Sequence, residues 1–549
     1  MFNFDSNRNL RTIVFEVLFL IISAFVFAIS FPSFLNLNGI WILSFIALIP
    51  MFMVIHNTKW YLTPFYGFLY GFVFYLLFNY WLKTFHPLAI LIVPIIKGGE
   101  LLIAFSLFKL VDLAFKKRGY LLIAILYTAY TFVSQNWFAG YPYGILGYSP
   151  YKFIPFIQIS SITGVWGINF IMVLPQIFIG FYLCDFFANK KIPFKIYLKE
   201  YFIDVVIYVI LFISVLVFGF ISMNKWDNTE AQDYWKVATV QHSSDTWKGG
   251  YITYKRNFNN LRLYSLEALT QNPDIVIWSE TAFVPSVAWH ENYPSNEETS
   301  ALVQEFVNFG NELNVPLLTG NPEGVLDDET KPAILENGEW NRTDYNTVIY
   351  FNEGKIQQTY RKQHLVPFTE HFPYEKQMPW LYNLLKANDY HWWEKGEVPV
   401  VFEADRGITF STTICFEDVF GEISADFVNN GANVLVNMTN DGWAYSSVSE
   451  MQHAAIGVYR SIENRKATIR STNSGITCLI DPVGRMIDPM KPFHPGWKIY
   501  DVPVYTTEAN GYTYFTNNPN YFAKLMVYLS YALIIFAGII LVKKRGKNE

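Results

Sequence analysis

Charge is what this chain has least of. Only 16% of its 549 residues are Asp, Glu, Lys or Arg, against about a quarter in soluble domains, while 52% are hydrophobic. That balance excludes a disordered chain and a single small soluble domain. Cysteine is nearly absent: Cys184, Cys415 and Cys478 are too few for a disulfide framework. Metal-ligand spacings are missing as well. No Cys-x-x-Cys or His-Glu-x-x-His occurs, and His364 and His371 are scattered among aromatic and polar neighbours, so no metal is expected. Neither common Gly-rich phosphate loop is present, and no cofactor is expected.

What is abundant is long apolar sequence. A helix crossing about 30 Å of hydrocarbon needs about 20 mostly apolar residues. Stretches 12–31, 37–55, 61–82, 88–115, 120–138, 153–187, 202–223 and 522–542 qualify, the sixth long enough to tilt or to include a turn. About eight transmembrane helices are therefore expected, seven in residues 1–225 and one in 521–549. Charge is divided the same way. Residues 1–225 carry 15 basic and 7 acidic residues, 226–520 carry 21 and 38, and 521–549 carry 5 and 1. The acidic centre argues against nucleic acid as a partner.

The basic residues also orient the thread. Arg8 and Arg11, Lys59, Lys116 to Arg118, Lys190, Lys191, Lys195 and Lys199, and Lys543, Lys544, Arg545 and Lys547 all fall on one side of an alternating path. The opposite loops hold little more than Lys83 and Lys152. Positive loops stay cytoplasmic, so both termini are expected inside and the acidic centre outside. Glu16, Lys97 and Glu100 lie at membrane depth, where charge is expensive; they either snorkel to a boundary or serve a lipid path.

Residues 226–520 change texture. Short β-branched runs at 237–241, 274–278, 315–319, 408–414 and 434–437 read as buried strands, and 348–351 with 355–358 and 477–480 with 486–487 read as hairpins. Helical patterns run over 256–269, 300–313, 419–429 and 451–466. Strands alternating with helices imply an α/β domain.

Three strands end on reactive side chains: one at Trp278-Ser279-Glu280, one at Tyr360-Arg361-Lys362, and one at Ile414-Cys415-Phe416-Glu417 before a helix. Carboxyl ends of strands form the site crevice in such sheets, so Glu280, Lys362 and Cys415 could meet. A thiol beside a cation at a strand-to-helix turn is expected to have a lowered pKa. A carboxylate could take its proton and return it to a leaving group, with Lys362 and the Phe416 N–H holding an oxyanion. Taken singly, each residue is more simply a buried thiol, a helix cap and a surface cation.

Together these residues resemble the Glu-Lys-Cys triad of the nitrilase, or carbon–nitrogen hydrolase, superfamily. The span count and the segment Lys362 to Pro373, with Glu370, resemble the apolipoprotein N-acyltransferase family within it, as do Asn440-Asp441-Gly442-Trp443 and Arg470 to Gly475. The resemblance implies an extracytoplasmic nitrilase-like αββα sandwich carried by a polytopic membrane domain in a bacterial inner membrane, with the catalytic domain on the periplasmic side. It implies that Cys415 takes a fatty acyl chain from a phospholipid as a thioester. The amine of the diacylglyceryl-cysteine of an apolipoprotein then receives it. By position Glu280 is the base, Lys362 the oxyanion partner and Glu370 a second carboxylate beside the lysine, while Glu417, Trp247 and Trp443 line the pocket. Phe416 stands where the family often has Tyr, so no hydroxyl is available there.

A membrane-tethered amidase of the same superfamily, which would release free fatty acid, is the alternative. A receptor or transporter, indifferent to Cys415→Ala, is a further one. Between Glu375 and Glu397, Trp380 and His391-Trp392-Trp393 suggest an exposed interfacial arm gating lipid entry, since Trp favours the headgroup zone.

Overall fold

The computed structural model describes residues 10–545 apart from 86, 116, 139, 188–192, 295, 337, 339 and 388–391. Arg8, Lys116, Lys190, Lys191 and Lys547, used above for orientation, and His391 of the arm lie outside the described residues. The chain divides into two compact units, residues 1–228, 451–459 and 518–549, and residues 229–450 and 460–517.

The first unit is helical. Leu10–Ser30, Trp60–Phe78, Ala89–Ala114, Val165–Asp185, Phe202–Asp227 and Tyr521–Lys544 are each long and apolar enough to cross a membrane, six among the described residues. The second expected span is shorter, a 3₁₀ turn over Trp41–Phe45 followed by the helix Ile49–Asn57 with Pro50 in its first turn, where proline is tolerated. The fifth forms Gly119–Asn136. The overlong sixth breaks at Gly164, leaving two short helices, Ile154–Ile157 and Ser160–Thr163, before Val165–Asp185.

Small residues let backbones approach where lipid offers no hydrophobic drive: a Cβ on Gly67 would lie 2.3 Å from the Leu101 carbonyl oxygen. The buried charges are paired. Glu16 accepts from Asn57 Nδ2 at 2.8 Å and from Tyr66 OH at 2.7 Å. Lys97 is fully buried and does not snorkel; its Nζ meets Glu100 Oε2 at 3.1 Å and Ser134 Oγ at 2.7 Å.

One assignment differs from sequence texture. Residues 451–459, from the middle of the helix Ser447–Asn464, group with the first unit. Gln452 explains it: its Oε1 accepts from Trp81 Nε1 at 3.1 Å and its Nε2 donates to the Pro32 carbonyl at 2.9 Å.

The second unit has fourteen strands among the described residues: β1 Asp233–Gln241, β2 Ile275–Ile277, β3 Leu317–Gly320, β4 Glu323–Leu326, β5 Arg342–Tyr345, β6 Thr347–Asn352, β7 Lys355–Arg361, β8 Phe402–Glu403, β9 Thr409–Ile414, β10 Val434–Thr439, β11 Thr468–Thr472, β12 Cys478–Ile480, β13 Met486–Ile487 and β14 Gly496–Val504. They build two six-stranded sheets, β14-β1-β2-β3-β6-β7 and β13-β12-β11-β10-β9-β8, with β4–β5 a separate pair. The centres are parallel, β1-β2-β3 and β9-β10-β11. The sheets face each other: Ser471 Oγ donates to the Ile277 carbonyl at 3.2 Å, and the Trp235 and Phe410 rings lie 4.8 Å apart.

Helices cover the outer faces, giving the nitrilase-like αββα sandwich. Glu297–Glu312 is capped by Asn296 and turns Leu302, Val303, Phe306 and Phe309 inward at helical spacing. With Phe258 of the helix Tyr251–Leu269 and Trp278 they form one buried cluster, each large side chain contributing about 1.5–3 kcal/mol. That core fixes the strand ends from which the site is built.

Candidate active site

Glu280 follows the fully buried strand β2. Its backbone crosses the end of β3 so closely that a Cβ on Gly320 would lie 2.2 Å from the Thr281 nitrogen, which only glycine permits. Its carboxylate is buried; Oε1 accepts from Asn346 Nδ2 at 2.9 Å and Oε2 from the Asn440 N–H at 2.8 Å. Lys362 directly follows β7. It is fully buried, with Nζ 2.8 Å from Glu370 Oε1 and 3.5 Å from Glu280 Oε1. Burial works against its charge, but Glu370 and Glu280 hold it protonated above the ordinary lysine range.

Cys415 directly follows β9 with φ +52°, a left-handed conformation costing a non-glycine residue about 1–2 kcal/mol. It is half-buried. Its thiol pKa is raised, first by burial and then by Glu280, with Lys362 pulling the other way. This corrects the expectation of a lowered thiol pKa. Desolvation and a buried carboxylate outweigh the cation, because that cation is already shared between two carboxylates. A neutral thiol needs a base as it attacks.

Glu417 braces this arrangement. Its Oε1 accepts from Tyr360 OH at 2.9 Å and from the N–H groups of Gln363 at 2.6 Å and His364 at 3.0 Å, and its Oε2 accepts from the Ile414 N–H at 2.8 Å. One carboxyl thus ties the segment after β7 to the end of β9. Burial lifts it to about 7, against the Ile414 hydrogen bond and the Lys362 charge. Glu370 is anchored too, its Oε2 accepting from the Val366 N–H at 2.7 Å. Phe416 is buried with its ring 5.3 Å from that of Phe420, so apolar packing occupies its side chain. The His364 ring lies 3.9 Å from that of Phe420, tilted by 37°, and burial pushes its pKa down to about 4, leaving it neutral.

The structure brings Glu280, Lys362 and Glu370 into direct contact, with the Cys415 thiol in their field. Trp247 and Trp443 pack edge to face at 5.1 Å, 47% and 39% exposed, and Trp247 Nε1 donates to the Trp443 carbonyl at 3.2 Å. Asn473 joins their loops to the site, donating to Asn440 Oδ1 at 2.9 Å and to the Ser244 carbonyl at 3.0 Å.

The arm is only partly as expected. Trp380 is 67% exposed, on the helix Pro379–Lys386, which has no buried residue. Trp392 is not an exposed aromatic: it stacks on Tyr382 at 6.4 Å and against Phe372 at 6.1 Å. Trp393 is half-buried and its N–H donates to the Glu370 carbonyl at 2.8 Å. Asn346, which bridges both carboxylates (Nδ2 to Glu370 Oε1, 3.2 Å), was not among the expected residues. Its place in the turn between β5 and β6 reads in sequence as a loop polar residue.

The family profile described as carbon-nitrogen hydrolase matches residues 236–509, and that described as apolipoprotein N-acyltransferase N-terminal domain matches residues 23–178. Apolipoprotein N-acyltransferase 1 of Treponema denticola is 39% identical over 499 residues, covering 89% of this chain and 91% of the relative. Apolipoprotein N-acyltransferase 1 of Treponema pallidum is 35% identical, covering 91% and 92%. Apolipoprotein N-acyltransferase of Borreliella burgdorferi is 28% identical, covering 87% and 88%.

Proposed function

Since the chain belongs to the apolipoprotein N-acyltransferase family, within the carbon–nitrogen hydrolase superfamily, we propose that Cys415, Glu280 and Lys362 carry its acyl transfer. The enzyme is an N-acyltransferase of lipoprotein maturation. Its donor is a phospholipid and its acceptor the amine of a diacylglyceryl-cysteine.

In the first half-reaction Glu280 takes the Cys415 proton as the sulfur attacks the ester carbonyl of the phospholipid. The oxyanion forms beside the Lys362 ammonium and the Phe416 N–H. The C–O bond then breaks, Glu280 returns the proton to the departing oxygen, and a lysophospholipid leaves the thioester behind. In the second half-reaction the α-amine attacks the thioester carbon and gives a proton to Glu280. The C–S bond breaks and the sulfur recovers that proton. Glu370 holds Lys362 in place, and Trp247 and Trp443 line the mouth. The raised thiol pKa suits this cycle, because Glu280 then shuttles one proton in both directions.

Eight spans carry the enzyme: the six long helices with Trp41–Asn57 and Gly119–Asn136. Residues 1–225 and 521–549 form the membrane part and 226–520 the catalytic part. Lys59, Lys117, Arg118, Lys195, Lys199, Lys543 and Lys544 support cytoplasmic termini and a periplasmic catalytic side in the bacterial inner membrane. The helix Pro379–Lys386, with Trp380 outward and Trp392 and Trp393 packed behind, dips into the outer leaflet where donor lipid enters.

One observation carries the reading: Glu280 from the end of β2 meets the fully buried Lys362 and its neighbour Glu370 beside a cysteine in a left-handed turn. Mass spectrometry of the purified enzyme after phospholipid exposure tests it. A fatty-acyl adduct on Cys415, discharged by a diacylglyceryl-cysteine peptide, is expected. Turnover with no adduct on Cys415 would overturn it.

A further inference from the structure

The backbone carbonyl of Cys415 is held by a side chain to which the acyl-transfer steps give no part. β10 runs parallel to β9 with Asn437 opposite Thr413 and Met438 opposite Ile414, so Asn437 lies alongside the end of the strand that the nucleophile follows. Asn437 is fully buried. Its Nδ2 donates to the Cys415 carbonyl at 3.3 Å and to Thr413 Oγ1 at 3.1 Å. The partners dictate which way the amide points. A backbone carbonyl can only accept, so Nδ2 and not Oδ1 must face Cys415. The Thr413 hydroxyl gives its own proton to the Val436 carbonyl at 3.4 Å, which leaves it an acceptor. Both amide protons are thereby used.

The other end of this amide shows that packing does not explain the residue. Asn437 Oδ1 is buried with no hydrogen-bond partner among the described residues, and an unsatisfied buried acceptor costs stability. A leucine would fill nearly the same volume without that cost. What asparagine adds here is two N–H donors, one of them aimed at the peptide group of the nucleophile.

That peptide group has two ends. A trans peptide is planar, so its C=O and N–H point in opposite directions, and the Cys415 carbonyl and the Phe416 N–H belong to the same unit. A bond that fixes the carbonyl therefore fixes the direction of the N–H, and polarising the carbonyl makes that N–H a stronger donor. The unit starts at a residue with φ +52°, a conformation that persists only where its surroundings hold it. We infer that Asn437 is a positioning residue that locks the Cys415–Phe416 peptide with the Phe416 N–H directed at the oxyanion. The inference rests on the thioester reading above, in which that N–H and Lys362 share the developing charge.

The test compares two reactions of Cys415 in the full-length enzyme in detergent. Acylation by a water-soluble short-chain ester passes through an oxyanion. Alkylation by iodoacetamide displaces iodide at a saturated carbon and forms none. Asn437→Leu is expected to slow single-turnover acylation by about 10- to 100-fold, somewhat less than outright loss of an oxyanion donor, and to leave alkylation within about twofold. Acylation at the wild-type rate overturns the inference. Equal slowing of both reactions also overturns it, because the thiol and not the peptide would then be displaced. If Asn437→Leu does not fold, Asn437→Asp decides. Its carboxylate has no proton to give the Cys415 carbonyl, whereas its carboxylic acid has one. The ratio of acylation to alkylation, taken against the same ratio in wild type, should therefore fall as pH rises through the pKa of that carboxyl, and a ratio independent of pH refutes the role. A wild-type enzyme that takes no acyl group on Cys415 sinks the thioester reading itself, while a wild type that acylates beside an unimpaired Asn437→Leu overturns the role of Asn437 alone.

Discussion

Each unit of the molecule buries a lysine completely, and the two lysines are built from opposite logic. Lys97, in the helix Ala89–Ala114, meets Glu100 three residues along its own helix and the Ser134 hydroxyl, with the rings of Tyr75 and Tyr141 5.9 and 5.8 Å from its Nζ. Lys362 meets two carboxylates, one from the end of β2 and one eight residues ahead on its own segment, beside a thiol from a third strand. A pair made three residues apart on one helix is set by local helix geometry. A lysine held between a carboxylate of its own segment and one from a distant strand end has a charge environment that exists only in the folded chain, and such convergence is where perturbed groups do chemistry.

Loss of the two lysines should have opposite consequences. Lys362→Met should lower acyl-transfer kcat/KM by about a thousandfold or more, as loss of an oxyanion partner does, and Cys415→Ala should abolish acyl-enzyme formation. Lys97→Met should leave kcat/KM within about threefold while lowering the thermal unfolding temperature, since an orphaned buried Glu100 costs about 3–5 kcal/mol. A folded Lys97→Met enzyme as inactive as Lys362→Met would make the membrane pair part of the reaction and erase the distinction.

The two carboxylates around Lys362 can be separated next. Glu280→Gln removes the base and should slow single-turnover acylation by about 10²–10⁴-fold. Glu370→Gln, which only loosens the lysine, should cost about ten times less. The reverse order would exchange their roles.

Why is so much of this site legible in the sequence? Glu280 and Cys415 each follow a run of buried, largely β-branched residues, and Lys362 follows the second arm of a hairpin whose turn is Asn352-Glu353-Gly354, so pattern alone puts all three at strand ends. What pattern cannot give is partners supplied by backbone or by loop asparagines. Asn346, the Asn440 N–H and the Ile414 N–H carry no side-chain signature of their role. In the fold, β2, β3, β9 and β10 are visible as apolar runs. β14 is not, because the first half of this edge strand is only half-buried and mixes Gly, Trp, Lys and Ile, nor is β11, whose Arg470 reads as surface but is buried against Asp418. The thiol pKa departs from expectation for a related reason: sequence shows the cation but not the carboxylates that already claim it.

Burial of Glu417 makes stability depend on pH. Its folded-state value of about 7 lies above the model-peptide 4.5, so the folded chain binds the proton more tightly. The stability this gives is complete below about 4.5, declines as pH rises and is gone above about 7, a loss of up to about 3 kcal/mol. Chemical unfolding in detergent should therefore show stability falling between these limits, and Glu417→Gln should flatten that slope. A wild-type slope of opposite sign would mean that the four hydrogen bonds, and not burial, set its proton affinity.

The smallest effect expected lies furthest from the chemistry, at the arm. Trp380 is open to its surroundings, while Trp392 is packed on Tyr382 and Phe372, so one segment holds an anchor and its support. Trp380→Ser should slow acylation by vesicle phospholipid by about two- to fivefold, the worth of one interfacial aromatic. It should leave acylation by a water-soluble short-chain ester unchanged, because that donor reaches Cys415 without passing the bilayer. Trp392→Ser should slow both donors alike, since unpacking the arm also disturbs the Trp393 N–H bond to the Glu370 carbonyl and, through it, the carboxylate holding Lys362. Equal sensitivity of the two donors to Trp380→Ser would place this helix with the packed core and not with the lipid.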